Sequence, residues 1–212
     1  MSPGKGASSR GPVMANLILI RHGQSVWNAA NRFTGWTDVD LSEKGVLEAE
    51  QAGRDLSSQR IDVVHTSDLV RAQRTAEIIM GLNQSSEDAE TRCDWRLNER
   101  NYGSLQGLNK AETAEKYGSE KVHVWRRSFD VAPPEGESLE MTAKRTIPYF
   151  NEEIVPDLLE GKNVLVSAHG NSLRSIVMHI EEIRPEEIVS LEIPTGSPMY
   201  YIFDQGEVTR IE

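Results

Sequence analysis

The chain has 212 residues, 38% of them hydrophobic, and a formal net charge of −10. That length suits a single α/β domain with a large core. No stretch approaches the roughly eighteen apolar residues that span a membrane, and the acidic balance lacks the basic footprint of a nucleic-acid binder. Cys93 is the single cysteine, which excludes an internal disulfide and suits a reducing compartment, so a cytoplasmic location is expected.

Met1 to Val13 are rich in Gly, Ser and Pro, with one Lys, one Arg and no acid. They read as a disordered leader or an expression remnant. Residues 1–14 are therefore set apart, Met14 being a candidate start, and 15–212 are read as one domain.

Leu17-Ile18-Leu19-Ile20 is a short apolar run that ends abruptly in Arg21-His22-Gly23-Gln24-Ser25. Ser42 is positioned as the N-cap of a helix to about Ser57, with Leu41 and Val46 spaced as a staple. Ile61 to His65 reads as a strand, Asp68 to Met80 as a helix and Arg92 to Leu97 as a strand. Helices are expected over Lys110 to Tyr117, Glu120 to Ser128 and Ser138 to Leu159, the last kinked or divided by Pro148 and Pro156. Val164-Leu165-Val166 is a second buried strand, ending in His169-Gly170-Asn171-Ser172. A helix to about Ile183 and a last strand near Met199 to Phe203 complete the pattern. Alternating strands and helices predict an α/β fold with a mainly parallel sheet covered on both faces. In such sheets ligands bind beyond the carboxyl ends of the strands, so the two His-Gly ends are expected to face one crevice.

Arg21-His22-Gly23-Gln24-Ser25-Val26-Trp27-Asn28 resembles the signature of the histidine phosphatase superfamily. Further blocks resemble its cofactor-dependent phosphoglycerate mutases: Phe33 to Asp38, Leu97 to Arg100, Tyr102-Gly103, Leu105 to Lys110, Trp125-Arg126-Arg127, Pro133 to Leu139 and Ala168 to Arg174. The similarity covers about Asn16 to Phe203. It implies a phosphoglycerate mutase-like three-layer αβα fold and interconversion of 3-phosphoglycerate and 2-phosphoglycerate in glycolysis and gluconeogenesis, primed by 2,3-bisphosphoglycerate. The alternative is a phosphatase of the same superfamily acting on a small phosphorylated metabolite.

The resemblance makes His22 the phosphoryl-accepting nucleophile. An imidazole nitrogen can hold the group covalently and divide one hard transfer into two easier ones. Transfer then depends on cations around the phosphoryl oxygens, and Arg21, Arg71 and a protonated His169 match the family's clamp, with Asn28 and the Gly170 backbone assisting. Glu99 matches its acid–base carboxylate, needed because the substrate hydroxyl loses a proton as it gains phosphorus. Arg100, Asn101, Tyr102, Lys110, Arg126 and Arg127 match substrate positions for a carboxylate and a second phosphate. Gly23, Gln24, Ser25, Thr34, Gly35 and Asn171 complete the expected binding set. Arg74 reads as a solvated helix residue, and Trp36 as a brace for the loop holding Thr34 and Gly35. His65, His123 and His179 lack partners at metal-ligand spacing, so no metal is expected. Expected partners are a small phosphorylated substrate and, at most, a few copies of this chain (a monomer or small homo-oligomer), with no nucleic acid and no membrane.

Three features depart from the family pattern. Asn101 stands where many relatives have histidine, the stretch from Asp130 to Ser138 is short, and few residues follow the last expected strand. Together they point to the family's short form.

Overall fold

The computed structural model describes residues 13–211. Strands β1 (Met14–Arg21), β2 (Val63–Thr66), β3 (Glu90–Cys93), β4 (Val164–Ala168), β5 (Pro198–Asp204) and β6 (Glu207–Arg210) form one sheet in the order β3-β2-β4-β1-β5-β6. β3, β2, β4 and β1 pair in parallel, while β5 runs antiparallel to β1 and β6 to β5. The helices are α1 (Val26–Ala29), α2 (Glu43–Asp55), α3 (Val70–Leu82), α4 (Lys110–Tyr117), α5 (Ser119–Arg127), α6 (Leu139–Tyr149), α7 (Val155–Leu159), α8 (Gly170–Ile180) and α9 (Pro185–Ile188).

Strand alternation builds the three layers. Leu17 and Leu19 of β1 join Val164 and Val166 of β4 against residues from α6 and α8 such as Tyr149 and Ile176. Ile18 and Ile20 point the other way, with Leu165, onto Ala52 of α2 and Ile79 of α3. Side chains two apart share a face of a strand, so both faces of this sheet are apolar and both are covered. A third cluster, Phe33, Leu105, Val122 and Trp125, packs α5 against the loops before it. No helix among the described residues is long and apolar enough to cross a membrane.

Several boundaries differ from expectation. Residues 1–12 of the expected leader lie outside the described residues, but Met14 is the first residue of β1, paired with Asp204. The strand expected over Arg92 to Leu97 stops at Cys93, and Trp95–Leu97 form a turn of 3-10 helix capped by Asp94. β6 was not expected; its Glu-Val-Thr-Arg sequence is polar and short because it is an edge strand. The helical stretch from Leu139 to Leu159 is interrupted, as expected, with Pro148 in the last turn of α6 and Pro156 in the first turn of α7. It widens into a π turn over Phe150–Ile154, between Pro148 and Pro156, which accommodates residues that have no N–H to donate. Ser42 does cap α2, accepting the Gly45 amide at 3.1 Å.

His65 lies fully buried and unites three segments. Its Nδ1 bonds the Tyr149 hydroxyl at 2.7 Å and its Nε2 bonds Asp157 at 2.9 Å. Asp157 also takes Arg92 at 2.8 Å and Lys162 at 3.0 Å, so this network fastens β2 and β3 to the helix behind them.

Candidate active site

Register brings the two His-Gly ends together. β1 and β4 are parallel neighbours with Arg21 opposite Ala168, and the His22 amide donates to the Ala168 carbonyl at 3.0 Å. The next residues therefore emerge side by side, with the His22 and His169 ring centroids 5.0 Å apart. His22 Nδ1 lies 2.6 Å from the Gly23 carbonyl, and Arg71 Nε donates to His22 Nε2 at 3.3 Å. A carbonyl only accepts and a guanidinium only donates, so the proton is on Nδ1 and the lone pair on Nε2. Burial, then the Arg71 and Arg21 charges, hold the His22 pKa well below its ordinary value and keep the ring neutral.

The cations are fixed by backbone. Arg71 is 1% exposed and donates through its two terminal nitrogens to the carbonyls of Gly35 at 2.7 Å and Thr37 at 3.0 Å. Its Nε is directed at His22, and the second hydrogen on each terminal nitrogen is left over for a ligand. Burial lowers its pKa to about 10, which leaves it cationic at neutral pH. Arg21 donates to the Ile193 carbonyl at 2.9 Å. Its Nε and the Nδ1 of His169 are both buried without a protein partner among the described residues. His169 was expected to be protonated. Burial first, then the charges of the neighbouring arginines, Arg71 and Arg21 among them, lower its pKa well below the ordinary value, which opposes protonation of the ring in the free site.

Glu99 is 8% exposed. Its Oε1 accepts the amides of Arg100 at 2.8 Å and Asn171 at 3.0 Å, leaving Oε2 toward the ligand space. Its backbone carbonyl accepts Trp36 Nε1 at 2.5 Å and Arg145 at 2.9 Å. Trp36 thus braces its loop, as expected, and also grips the carboxylate's own backbone. Arg145 escaped sequence reading. It is buried, paired with Glu137 at 2.8 Å, and also donates to the carbonyls of Arg96 and Asn98.

A cavity of about 240 Å³ opens over these groups. Arg21, His22, Asn28, Thr34, Gly35 and Arg71 line its inner end with Glu99, Gly170 and Asn171. Tyr102, Lys110, Arg126 and Arg127 line the rest, as the sequence led one to expect. Burial and the neighbouring Arg126 and Arg21 bring the Lys110 pKa down to about 8. Arg32, Arg174 and Glu192 also line the cavity and were not expected there. Glu192 meets Arg127 at 2.6 Å. Arg174 donates to Leu191 O at 2.7 Å, and its other bond, to Asn171, is 3.0 Å long.

Other expected binding residues form the wall rather than the lining. Ser25 caps α1 and exchanges bonds with Asn28 at 3.0 Å in both directions. Gln24 accepts the Ser42 hydroxyl, Gly23 donates to Thr75, and Arg100 donates to the Trp125 carbonyl. Asn101 closes a turn by accepting the Gly103 amide at 2.7 Å and donates its own to Glu137. Arg74 pairs with Asp40 at the surface, as a solvated helix residue should. His179 bonds Asn151. Among the described residues no group of three or more His, Cys, Asp or Glu side chains is arranged to hold a metal ion.

Paired histidines at adjacent strand ends, ringed by arginines, define a phosphoryl-transfer class. The chain belongs to the histidine phosphatase superfamily (branch 1), whose family model matches residues 17–210. Within it, a 2,3-bisphosphoglycerate-dependent phosphoglycerate mutase of Protochlamydia amoebophila is 49% identical, over 93% of this chain and 99% of its own. 2,3-bisphosphoglycerate-dependent phosphoglycerate mutase 1 of Arabidopsis thaliana is 50% identical over 222 aligned positions, covering 92% of this chain and 66% of that relative. Those positions exceed the residues this chain contributes, so the relative carries segments with no counterpart here. A solved mycobacterial glucosyl-3-phosphoglycerate phosphatase complexed with VO3 shares the fold at TM-score 0.80 and 24% identity, over 93% of this chain and 98% of that one.

Proposed function

We propose that this protein interconverts 3-phosphoglycerate and 2-phosphoglycerate through a phosphohistidine on His22. The carrying observation is that a neutral His22, the Glu99 carboxylate and the outer cations Lys110, Arg126 and Arg127 share one cavity. A trianionic phosphoglycerate matches that charge pattern. The buried, unpartnered Arg21 Nε and His169 Nδ1 fit phosphoryl oxygens held beside His22 Nε2.

In this reading 2,3-bisphosphoglycerate supplies, when bound, the phosphoryl group that primes the enzyme. His22 Nε2 takes phosphorus as the phosphorus–oxygen bond to the glycerate breaks, and Glu99 Oε2 returns a proton to the departing oxygen. In reverse Glu99 accepts the proton of the attacking hydroxyl. Arg21, Arg71 and His169 hold the equatorial oxygens, while Lys110, Arg126 and Arg127 hold the carboxylate and second phosphate. The charge is stabilised by these side chains, and the reading invokes no metal ion. The glycolytic role of relatives so named supports a cytoplasmic location.

A phosphatase is the second reading, in which water attacks phosphorylated His22. The outer cations Lys110, Arg126 and Arg127 favour the mutase over a monoesterase whose substrate carries no second anionic group. The deciding experiment is turnover of 3-phosphoglycerate with and without catalytic 2,3-bisphosphoglycerate. The mutase reading expects 2-phosphoglycerate and strong stimulation; release of inorganic phosphate as the main product favours the phosphatase.

A further inference from the structure

Ser67 follows β2 directly and is fully buried. Its Oγ stands 2.7 Å from His169 Nε2 and accepts the Leu69 amide at 3.1 Å. A hydroxyl has one hydrogen. Among the described residues, His169 Nε2 is the only acceptor bonded to this one. The opposite arrangement, Nε2–H donating to Ser67, would strand the serine hydrogen in a buried place. It would also turn the Nδ1 lone pair toward an arriving phosphoryl oxygen. Buried groups left without a partner in this way are costly, so this arrangement is disfavoured.

We propose that Ser67 is a positioning residue that fixes His169 as the neutral Nδ1–H tautomer, so that His169 serves the phosphoryl group as a hydrogen-bond donor rather than as a cation. His169 Nδ1 is the buried atom without a partner, and its ring packs edge-on to His22 at a 62° interplanar angle. The His169 amide is itself held by Ser172 Oγ at 3.1 Å, so the ring is presented from a fixed backbone. With Arg21, Arg71 and Arg145 already nearby, a second proton on the ring is opposed electrostatically. A ring with a single proton makes its tautomer decisive. The two histidines then share one tautomer with opposite uses. His22 sends Nδ1–H to Gly23 and turns its Nε2 lone pair toward Arg71, whereas His169 gives its Nε2 lone pair to Ser67 and keeps an unpartnered Nδ1–H.

The proposal rests on the phosphoryl-transfer reading for its purpose, but its primary test does not need turnover. Long-range proton–nitrogen NMR on nitrogen-labelled free protein, with His169 assigned through His169→Gln, reports which ring nitrogen carries hydrogen. Expected is a protonated Nδ1 and an unprotonated Nε2 at neutral pH. A protonated Nε2, alone or together with Nδ1, overturns the proposal. In Ser67→Ala the Nε2–H form should appear, and phosphorylation of His22 by 2,3-bisphosphoglycerate should slow by about tenfold or more, approaching at most the roughly 10²–10³-fold lost on deleting an oxyanion donor outright. Ser67→Thr should restore both the tautomer and the rate. If Ser67→Ala leaves the His169 tautomer unchanged, Ser67 does not set it. A wild-type Nδ1–H tautomer in a protein that fails to turn over 3-phosphoglycerate would instead leave this proposal standing and remove the proposed substrate.

Discussion

Glu99 Oε1 accepts the Asn171 amide at 3.0 Å, joining the first turn of α8 to a loop 72 residues earlier. With the Arg100 amide on the same oxygen, one side of the carboxylate is fully engaged and Oε2 alone is free to exchange a proton. The position of the proposed general acid is therefore set by the same helix start that follows His169.

Glu99→Gln keeps the size and the accepting oxygen but removes the exchangeable proton. Turnover should fall by about 10²–10⁴-fold, with substrate affinity little changed. Steady-state kcat together with direct binding of 3-phosphoglycerate checks this. Turnover within about threefold of the parent would make Glu99 a binding residue.

The pH profile of kcat/KM follows from two lowered pKa values. His22 must be neutral, and its pKa lies well below 6.5, so the acid limb should fall only below that value. Lys110 must be cationic, and its pKa is about 8, so affinity should be lost as pH rises through that value. Lys110→Arg should move the alkaline limb upward and leave the acid limb in place. An alkaline limb unmoved by this substitution would assign it to another group.

Glu192 occupies the guanidinium of Arg127 in the free protein and is 67% exposed. Its flanking carbonyls, Leu191 and Ile193, are held by Arg174 and Arg21, so the carboxylate stands at the mouth by design of the backbone. Glu192→Gln should free Arg127 for substrate and lower KM by up to about fivefold, since such exposed pairs contribute ~0.2–1 kcal/mol. The gain should shrink at high salt. A raised KM would mean that Glu192 orients Arg127 for the substrate instead of competing with it.

Gly23 and Gly45 touch backbone to backbone. A Cβ on Gly45 would lie 2.0 Å from the Gln24 carbonyl, and the turn carrying His22 would have to move. Gly45→Ala should cost about 1–3 kcal/mol of stability and on the order of 10²-fold in turnover through misplacement of the nucleophile. Thermal unfolding and kcat measured on one preparation test both. Unchanged turnover would show that the turn adjusts without moving His22.

The two His-Gly strand ends were legible because β-branched apolar runs stop abruptly there, and parallel pairing of β1 with β4 is what turns two similar motifs into one crevice. The Ser42 cap was legible for an equally local reason. Arg174 and Glu192 were not, because their partners lie far along the chain and both residue types are common on surfaces. Arg145 shares the buried face of α6 with Thr142, Thr146 and Tyr149, a spacing of three and four residues that marks it as facing inward, but nothing local reveals that it meets the Glu99 carbonyl. The lowered pKa of His169 in the empty site was not legible, because desolvation and three guanidiniums are properties of the assembled site. Gln24, Ser25 and Arg100 sit inside matching motifs, yet their bonds go to the wall, which only tertiary structure distinguishes from the lining.

The central claim is that His22 Nε2 carries the phosphoryl group. Brief incubation with radiolabelled 2,3-bisphosphoglycerate, followed by quenching in base and peptide mapping, tests it most directly. The account predicts an acid-labile, base-stable adduct on His22 that is absent from His22→Ala and is discharged by added 3-phosphoglycerate. Label on His169 or on a serine, or an unchanged adduct in His22→Ala, would contradict it.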